Sequence, residues 1–526
     1  FVQGLVRKMT LDEKVGQMTQ VDKRMLDSDS DIANYFLGSL LSGGGSVPND
    51  NTPVGWINMI NRYQKQALST RLKIPLIYGI DAVHGHSNVV GATIFPHNIG
   101  LGCSNNPDLI YKVNQATAIE VAATGLHWTF SPCITVPKDD RWGRQYEGFS
   151  ESTEIVTRLT HAAITGYEDE LDLLQGKKIA ACAKHFIGDG GTSWETGSLQ
   201  EGMHTYKIDR GNTQLTEEEL RRIHLPPYLE AIRAGVKTIM ISYNSWNNVK
   251  CHGSKFLISD LLKSELNFEG LVVTDWAGID EIPGDYKSDI ITSINAGIDL
   301  VMVPGALYGN NHYKTFIKLL KESVEEGAVP MSRIDDAVTR ILRVKYDIGL
   351  FDDPYGKVDR ASQVGSEKNR QVARNAVKMS MVLLKNESSV LPLKKVQKVT
   401  VVGSGANNLG MQNGGWTVEW QGRSTPDFKI LDSNNDAKLK FSEVISYFMS
   451  AYDAKYDKGS AEGFFKNLDK DSDGNVTVDE FKRYVIDFPY QPNGTSILKA
   501  LEKSSGNKEL ITYDPRAENI LKGEII

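Results

Sequence analysis

The run Gly270-Leu-Val-Val-Thr-Asp-Trp276 is apolar through Val273 and then ends in a carboxylate and a large aromatic. Similar short strand-like runs occur at residues 76–83, 129–136, 179–186, 238–244 and 300–304. Polar or glycine-containing residues follow each run, and then a helical pattern. Repeated β-then-α units predict a parallel α/β fold. Their number and the length of chain they occupy predict a (β/α)8 TIM-like barrel over residues 1–355.

Helix signals agree with this spacing. Thr10 with Glu13, and Thr216 with Glu219, form capping-box patterns. Ser332 is placed to cap a helix whose Ile334, Ala337, Val338, Ile341 and Leu342 share one face, with Gly349 positioned to stop it. Polar residues beyond Asp352-Asp-Pro354 predict a linker at 356–372. A second α/β pattern follows over 373–422 and resumes over 490–526, where it reads as a partial α/β sandwich domain. Residues 423–489 break that pattern and read as a helical insertion.

A chain of 526 residues suits two or three domains. At 40% apolar and 9% aromatic it can bury sizeable cores. The net charge of −7 gives no basic footprint for nucleic acid or anionic membrane. No apolar run approaches the roughly 20 residues of a membrane span. Cys103, Cys133, Cys182 and Cys251 have no metal-type spacing. The start at Phe1 reads as a processed or trimmed N-terminus, and sequons at Asn386, Asn475 and Asn493 fit a secreted or lysosomal protein. Oligomeric state is not legible.

The insertion carries two twelve-residue loops whose starts lie 37 residues apart, at Asp432 and Asp469. In the second, Asp469, Asp471, Asp473 and Glu480 fall at positions 1, 3, 5 and 12, with Gly474 at 6 and the Asn475 carbonyl at 7. The first places Asp432, Asn434, Asp436 and Glu443 likewise, with the Lys438 carbonyl at 7. Such spacing wraps six to eight oxygens around one hard cation, and the segment resembles an EF-hand pair that binds Ca2+. Ala437 replaces the glycine of the first loop and Lys440 sits at position 9, so that loop is expected to bind more weakly. Phe464, Phe465, Phe481 and Val485 are expected to pack the pair together.

Chemistry in a barrel collects at the C-terminal ends of strands. Asp81, Lys184-His185, Tyr243 and Asp275-Trp276 end separate apolar runs, and Arg141-Trp-Gly-Arg-Gln-Tyr-Glu147 follows another. An Asp at a strand end can simply cap the next helix. Convergence of so many polar groups from separate strands is harder to explain by packing.

Gly79-Ile-Asp-Ala-Val-His-Gly, Arg141-Trp-Gly-Arg-Gln-Tyr-Glu, Ala183-Lys-His-Phe-Ile-Gly, Met240-Ile-Ser-Tyr, Val273-Thr-Asp-Trp and Gly414-Gly-Trp-Thr-Val-Glu-Trp-Gln-Gly422 resemble glycoside hydrolase family 3. The likeness is to plant-type exo-β-glucan glucohydrolases and lysosomal-type β-glucosidases. It implies a retaining, exo-acting β-glucosidase that removes terminal β-D-glucosyl residues from β-glucans or β-glucosides, and needs no cofactor for catalysis. By this resemblance Asp275 is the nucleophile, and Asp81, Arg144, Lys184, His185 and Tyr243 line the sugar pocket. Trp276, Trp416 and Trp420 form its aromatic walls. A second carboxyl group about 5 Å away would protonate the leaving oxygen. The resemblance places that acid/base in the second domain, after a segment like Ala517-Glu-Asn-Ile-Leu-Lys-Gly-Glu-Ile-Ile526, so it is expected beyond Ile526.

Gly188-Asp189-Gly190 stands where a β-N-acetylglucosaminidase of this family would carry an Asp-Ser-His pattern. A β-xylosidase remains an alternative, although Asp81 suits a sugar with a C6 hydroxyl. A catalytically impaired carbohydrate-binding or calcium-sensing protein is the alternative from a different class. Val401-Val-Gly-Ser-Gly-Ala-Asn-Asn-Leu-Gly410 misplaces the third glycine of a dinucleotide fingerprint and reads as a strand-to-helix turn. His84-Gly-His86 lacks the carboxylate pattern of a zinc helix and reads as a loop-shaping pair.

Overall fold

The computed structural model describes residues 1–198, 200–201, 204–305, 312–394, 397–418, 420, 422, 428–451, 462–463, 465–466, 468–481 and 494–515. It divides into two compact units, Phe1–Val382 and Leu383–Ile526.

Unit 1 is built on short buried strands: β1 Thr19–Asp22, β2 Ser39–Ser42, β3 Ile77–Ile80, β4 Trp128–Thr129, β5 Cys182–Phe186, β6 Thr238–Ile241, β7 Leu271–Val273 and β8 Val301–Val303. They form two parallel sheets, ordered β8-β1-β2-β3-β4 and β7-β6-β5. Single parallel bridges join Trp128 to Ala180, just before β5, and Val273 to Leu300, just before β8. The expected runs supply β3 to β8. Strands β1 and β2 escaped the sequence reading because Thr-Gln-Val-Asp and Ser-Leu-Leu-Ser are at least half polar. Every one of their residues is nevertheless buried, because Gln20 Nε2 donates to Ser39 Oγ at 2.6 Å and Ser39 Oγ donates to the Ile77 carbonyl at 2.9 Å.

Both predicted capping boxes form, at Thr10 and Thr216. The helix Met331–Asp347 instead starts after Pro330, so Ser332 is not its cap. Proline fixes the extended backbone that the first turn needs and moves the start two residues earlier. The predicted linker is also displaced. Glu367–Ser380 is a helix packed on Asn98–Ser104 and Pro107–Ala123. Buried Glu120 holds this segment, accepting from the Gly365 amide at 3.0 Å and from Asn369 Nδ2 at 2.9 Å. A boundary at 355 therefore gives way to one after Val382.

Three buried polar side chains pin the N-terminal ends of the strands. Lys345 Nζ donates to Gln17 Oε1 and to the Gly38 and Pro75 carbonyls at 2.7, 2.8 and 2.8 Å, ahead of β1, β2 and β3. Asp299 accepts the Val272 amide of β7 at 2.9 Å and pairs with Lys263 at 2.7 Å. Glu168 Oε1 accepts the amides of Ala181 and Lys237, before β5 and β6, at 3.0 and 2.9 Å. This end of the sheets is cross-linked for stability, which leaves the opposite end free for chemistry.

Burial pushes the Glu168 carboxyl up to about 7, against the lowering pull of Lys237 and the two amides. A carboxyl group raised in the folded state stabilises it below the ordinary pKa and loses that contribution as pH rises through about 7. Glu168→Gln keeps an acceptor for both amides. The variant is expected to melt with the wild type at pH 4.5 and above it at pH 8. Parallel melting curves at both pH values would remove the proton from this account.

Unit 2 contains two separate cores. Strand β9, Val399–Val402, pairs in parallel with a later strand, Ile511–Asp514. Val399 and Val401 pack with Leu498 of the helix Ile497–Ser505. In the chain between them, β10 Lys438–Leu439 and β11 Val476–Thr477 pair antiparallel, and Ile511–Asp514 is accordingly β12. Leu431, Leu439, Val444, Leu468, Val476 and Phe481 form a core of their own, with Phe465 packed on it. Phe464, Val485 and the segment 517–526 lie outside the described residues.

Candidate active site

The nominated polar groups of unit 1 meet at the C-terminal strand ends. Asp81 follows β3, Lys184 and His185 lie on β5, Tyr243 follows β6, and Asp275-Trp276 follows β7. Arg144 precedes a short 3-10 turn, Gln145–Glu147, on the loop after β4.

Charge pairing sets their states. Lys184 Nζ donates to Asp81 Oδ1 at 3.2 Å with its side chain only 2% exposed. Burial raises the Asp81 carboxyl above its ordinary range despite Lys184, with Asp275 and Glu147 adding to the rise. Arg144 grips Glu147 bidentately, Nε to Oε1 at 2.8 Å and Nη2 to Oε2 at 3.0 Å. Burial would raise Glu147, but Arg144, Lys184 and His185 outweigh it and hold the carboxyl at about 2.

His185 lies between two carboxylates. Its Nδ1 is 2.8 Å from Asp189 Oδ2, and its Nε2 is 3.6 Å from Asp275 Oδ2 and 3.0 Å from Arg144 Nη2. Arginine can only donate, so in this arrangement Nε2 presents a lone pair and Nδ1–H faces Asp189. Burial and Arg144 oppose protonation, yet Asp189 draws the imidazole up to about 9. Gaining that proton means leaving Arg144 and turning Nε2–H toward Asp275.

The Asp275 carboxylate is asymmetric. The Trp276 amide donates to Oδ1 at 2.7 Å, whereas buried Oδ2 has no hydrogen-bond partner among the described residues. Burial would raise this carboxyl, but the charges of His185, Arg144 and Lys184 hold it below its ordinary value. It stays ionised, with one oxygen fixed and the other available. That is the preparation a nucleophilic carboxylate requires.

Tyr243 and Trp276 stand beside Asp275 at the same strand ends. A Cβ on Gly43 would lie 2.4 Å from the Trp276 ring, so only glycine lets that loop approach the indole. Asp22 fixes the loop, accepting from the Gly43 amide at 3.0 Å and pairing with Arg24 at 2.9 Å. The Tyr243 hydroxyl donates to the Trp276 carbonyl, and Arg210 stacks on the Tyr243 ring at 3.9 Å. Glu281 ties Arg210 to Lys250, whose Nζ also donates to the Tyr243 carbonyl at 2.9 Å. His84 stacks on His97 at 3.8 Å and His86 bonds Thr124 Oγ1 at 2.8 Å, as loop-shaping residues would.

Sequence reasoning missed Glu147, Asp189, Arg210, His252 and Glu281. Glu147, three residues after Arg144, and Asp189, four after His185, had local signals. His252, Arg210 and Glu281 are partnered across 23 to 71 residues of sequence, a separation that no periodicity reveals.

Unit 2 holds the remaining nominees. Trp416 and Trp420 share a turn, with ring centroids 6.2 Å apart and the Trp416 amide donating to the Trp420 carbonyl at 2.7 Å. In the second calcium-type loop, carboxylate oxygens of Asp469, Asp471 and Asp473 lie within 4.8 Å of one another. Glu480 accepts from Thr477 and Lys470 amides at 2.9 and 3.3 Å, closing the loop at position 12. In the first loop Glu443 closes on the Ser433 and Lys440 amides at 2.9 and 3.0 Å, and Asp432 and Asn434 accept from Asp436 N at 3.1 and 2.8 Å. Ala437 takes the left-handed turn at φ 61°, where Gly474 has φ 81°. A non-glycine residue there costs roughly 1 kcal/mol. Leu439 and Val476 pair across the two loops. These all-oxygen donor sets fit a hard divalent cation.

The sequence model of the glycosyl hydrolase family 3 N-terminal domain matches residues 10–344. The chain belongs to glycosyl hydrolase family 3. An EF-hand domain pair matches residues 427–486 of this family 3 chain. Among curated relatives, the lysosomal beta glucosidase of Dictyostelium discoideum is 35% identical, over 80% of the chain and 53% of that protein. The periplasmic beta-glucosidase of Salmonella typhimurium is 31% identical, over 80% of the chain and 52% of its own length. The family 3 chain thus spans about half the length of these relatives. Among solved structures, an exo-1,3/1,4-beta-glucanase from a Pseudoalteromonas species superposes with a TM-score of 0.74 at 38% identity, covering 86% of this chain and 55% of that one. No helix among the described residues is long and apolar enough to cross a membrane.

Proposed function

We propose that the family 3 chain carries the glycone site and nucleophile of a retaining, exo-acting β-glucosidase acting on β-glucans or β-glucosides. The observation that carries this reading is the Asp275 carboxylate, ionised among Arg144, Lys184 and His185 with Oδ2 unbonded. Asp275 forms the glycosyl ester. Asp81 and Lys184 bind sugar hydroxyls at one side of the pocket, Arg144 and His185 at another, and Tyr243 and Trp276 wall it. Trp416 and Trp420, on one turn of unit 2, offer indole faces for a sugar ring. The two parallel sheets and the two bridges between them support a single closed eight-stranded barrel. The lysosomal and periplasmic settings named for the relatives support a secreted or lysosomal protein. Hydrolysis of a chromogenic β-glucoside by the full-length protein, with the first-formed anomer read by NMR, tests the reading. Release of the α-anomer would overturn it.

The pairing of Val399–Val402 with Ile511–Asp514 supports an α/β domain interrupted by an EF-hand insertion at about 423–489. Asp432, Asn434, Asp436, Glu443 and the Lys438 carbonyl would hold one Ca2+, and Asp469, Asp471, Asp473, Glu480 and the Asn475 carbonyl the other. Calcium acts structurally or as a regulator and takes no part in bond breaking. Glu480→Gln is expected to weaken calcium affinity more than Glu443→Gln, since Ala437 already handicaps the first loop. Calorimetric titration and melting temperature measure this, and the reverse order would refute the ranking.

A further inference from the structure

His252 is buried in the turn Cys251–Gly253, which follows a hairpin of Ser245–Trp246 and Val249–Lys250. This hairpin returns the chain from the end of β6 to the end of β7. There the Asp275 backbone amide donates to His252 Nε2 at 3.1 Å. The contact is built closely, because a Cβ on Gly278 would fall 2.3 Å from the same nitrogen. The turn is closed by the Gly278 amide on the Asp275 carbonyl at 3.0 Å, with Ala277 left-handed at φ 50°. The imidazole also packs against the Tyr243 ring, centroids 5.9 Å apart.

The other ring nitrogen has no use in packing. Buried Nδ1 finds no hydrogen-bond partner among the described residues, and an orphaned buried N–H costs about 1–3 kcal/mol. A leucine would fill the space without that cost. What the histidine adds is the Nε2 lone pair beneath the Asp275 amide.

We propose that His252 is a positioning residue for the nucleophile, a neutral imidazole that anchors the Asp275 amide so that Oδ2 stays aimed at the anomeric carbon. This rests on the assignment of Asp275 as nucleophile. Three donors and acceptors then fix one aspartate: His252 takes its amide, Gly278 takes its carbonyl, and the Trp276 amide takes Oδ1. Oδ2 is left for attack. Burial keeps the ring unprotonated, at about 3, with Lys250, Arg210 and His185 aiding it against the opposing pull of Asp275. The acceptor is therefore present across the working pH range.

A 2,4-dinitrophenyl 2-deoxy-2-fluoro-β-glucoside isolates this step. Asp275 Oδ2 forms an ester bond to C1 while the C1–O bond breaks and its electron pair leaves with dinitrophenolate, so no proton donor is needed. Peptide mapping of the trapped wild type places the ester. A label on another residue would overturn the nucleophile assignment, and the His252 proposal with it. With the label on Asp275, His252→Leu is expected to slow inactivation about tenfold to hundredfold, the scale of an ångström-level misplacement, at an unchanged inhibitor concentration for half-maximal rate. Its melting temperature should change little, since an orphaned Nδ1–H is exchanged for an orphaned amide. His252→Gln, whose Oε1 can reach the amide, should recover much of the rate, and His252→Asn, which is shorter, should not. These two polar variants decide the matter if the leucine variant does not fold. Trapping on Asp275 at the wild-type rate in His252→Leu or His252→Asn would overturn the proposal, as would slowing that tracks melting temperature across all three variants.

Discussion

Asp275→Asn is expected to lower glucosidase turnover by about 10⁴–10⁶-fold, the scale seen when a covalent nucleophile is removed, while glucose binding changes by no more than about threefold. The amide is isosteric, so the Trp276 amide still finds Oδ1 and the Asp275 backbone still reaches His252. The variant loses the anionic Oδ2 and replaces it with an NH2 that cannot attack. It also removes the carboxylate that draws Arg144 and Lys184 upward. The pocket becomes more positive, and its hold on hydroxyl oxygens is retained. Single-turnover kinetics with a dinitrophenyl glucoside, beside a direct binding measurement, separates the two effects. Loss of binding in proportion to loss of rate would make Asp275 a sugar ligand only.

The site was legible where chemistry is local in sequence. An apolar run that stops at Asp275-Trp276 identifies a strand end, and Lys184-His185 within another apolar run is costly unless the pair is used. The pairings were not legible. Nothing in the sequence joins Asp81 to Lys184 or Arg210 to Glu281, because each pair depends on the order of strands in the sheets. His252 was invisible for a further reason. Its contribution is a lone pair offered to a main-chain amide, and backbone partners leave no mark on residue type. The same limit hid β1 and β2, where Gln20 Nε2 and Ser39 Oγ bond to neighbouring strands. Proline at 330 overrode Ser332 because the proline backbone is already set for a helix start.

The largest stability effect should come from the end of the sheets opposite the site. Lys345→Met keeps the length of the side chain and fills the same buried space. It leaves Gln17 Oε1 and the Pro75 carbonyl without their donor, while the Gly38 carbonyl keeps only the Ile77 amide at 3.1 Å. Each unsatisfied buried group costs about 1–3 kcal/mol, so the variant should lose at least about 2 kcal/mol and melt several degrees lower. The opposing gain, release of a desolvated amine, depends on pH. Burial alone holds Lys345 well below its ordinary pKa. A group depressed in the folded state contributes stability above its unfolded pKa and loses it as pH falls through the folded value. The difference in melting temperature between wild type and Lys345→Met should therefore widen as pH rises toward 10.5. Equal melting temperatures at all pH values would mean that the three acceptors find other donors, and that Lys345 does not pin the first three strands.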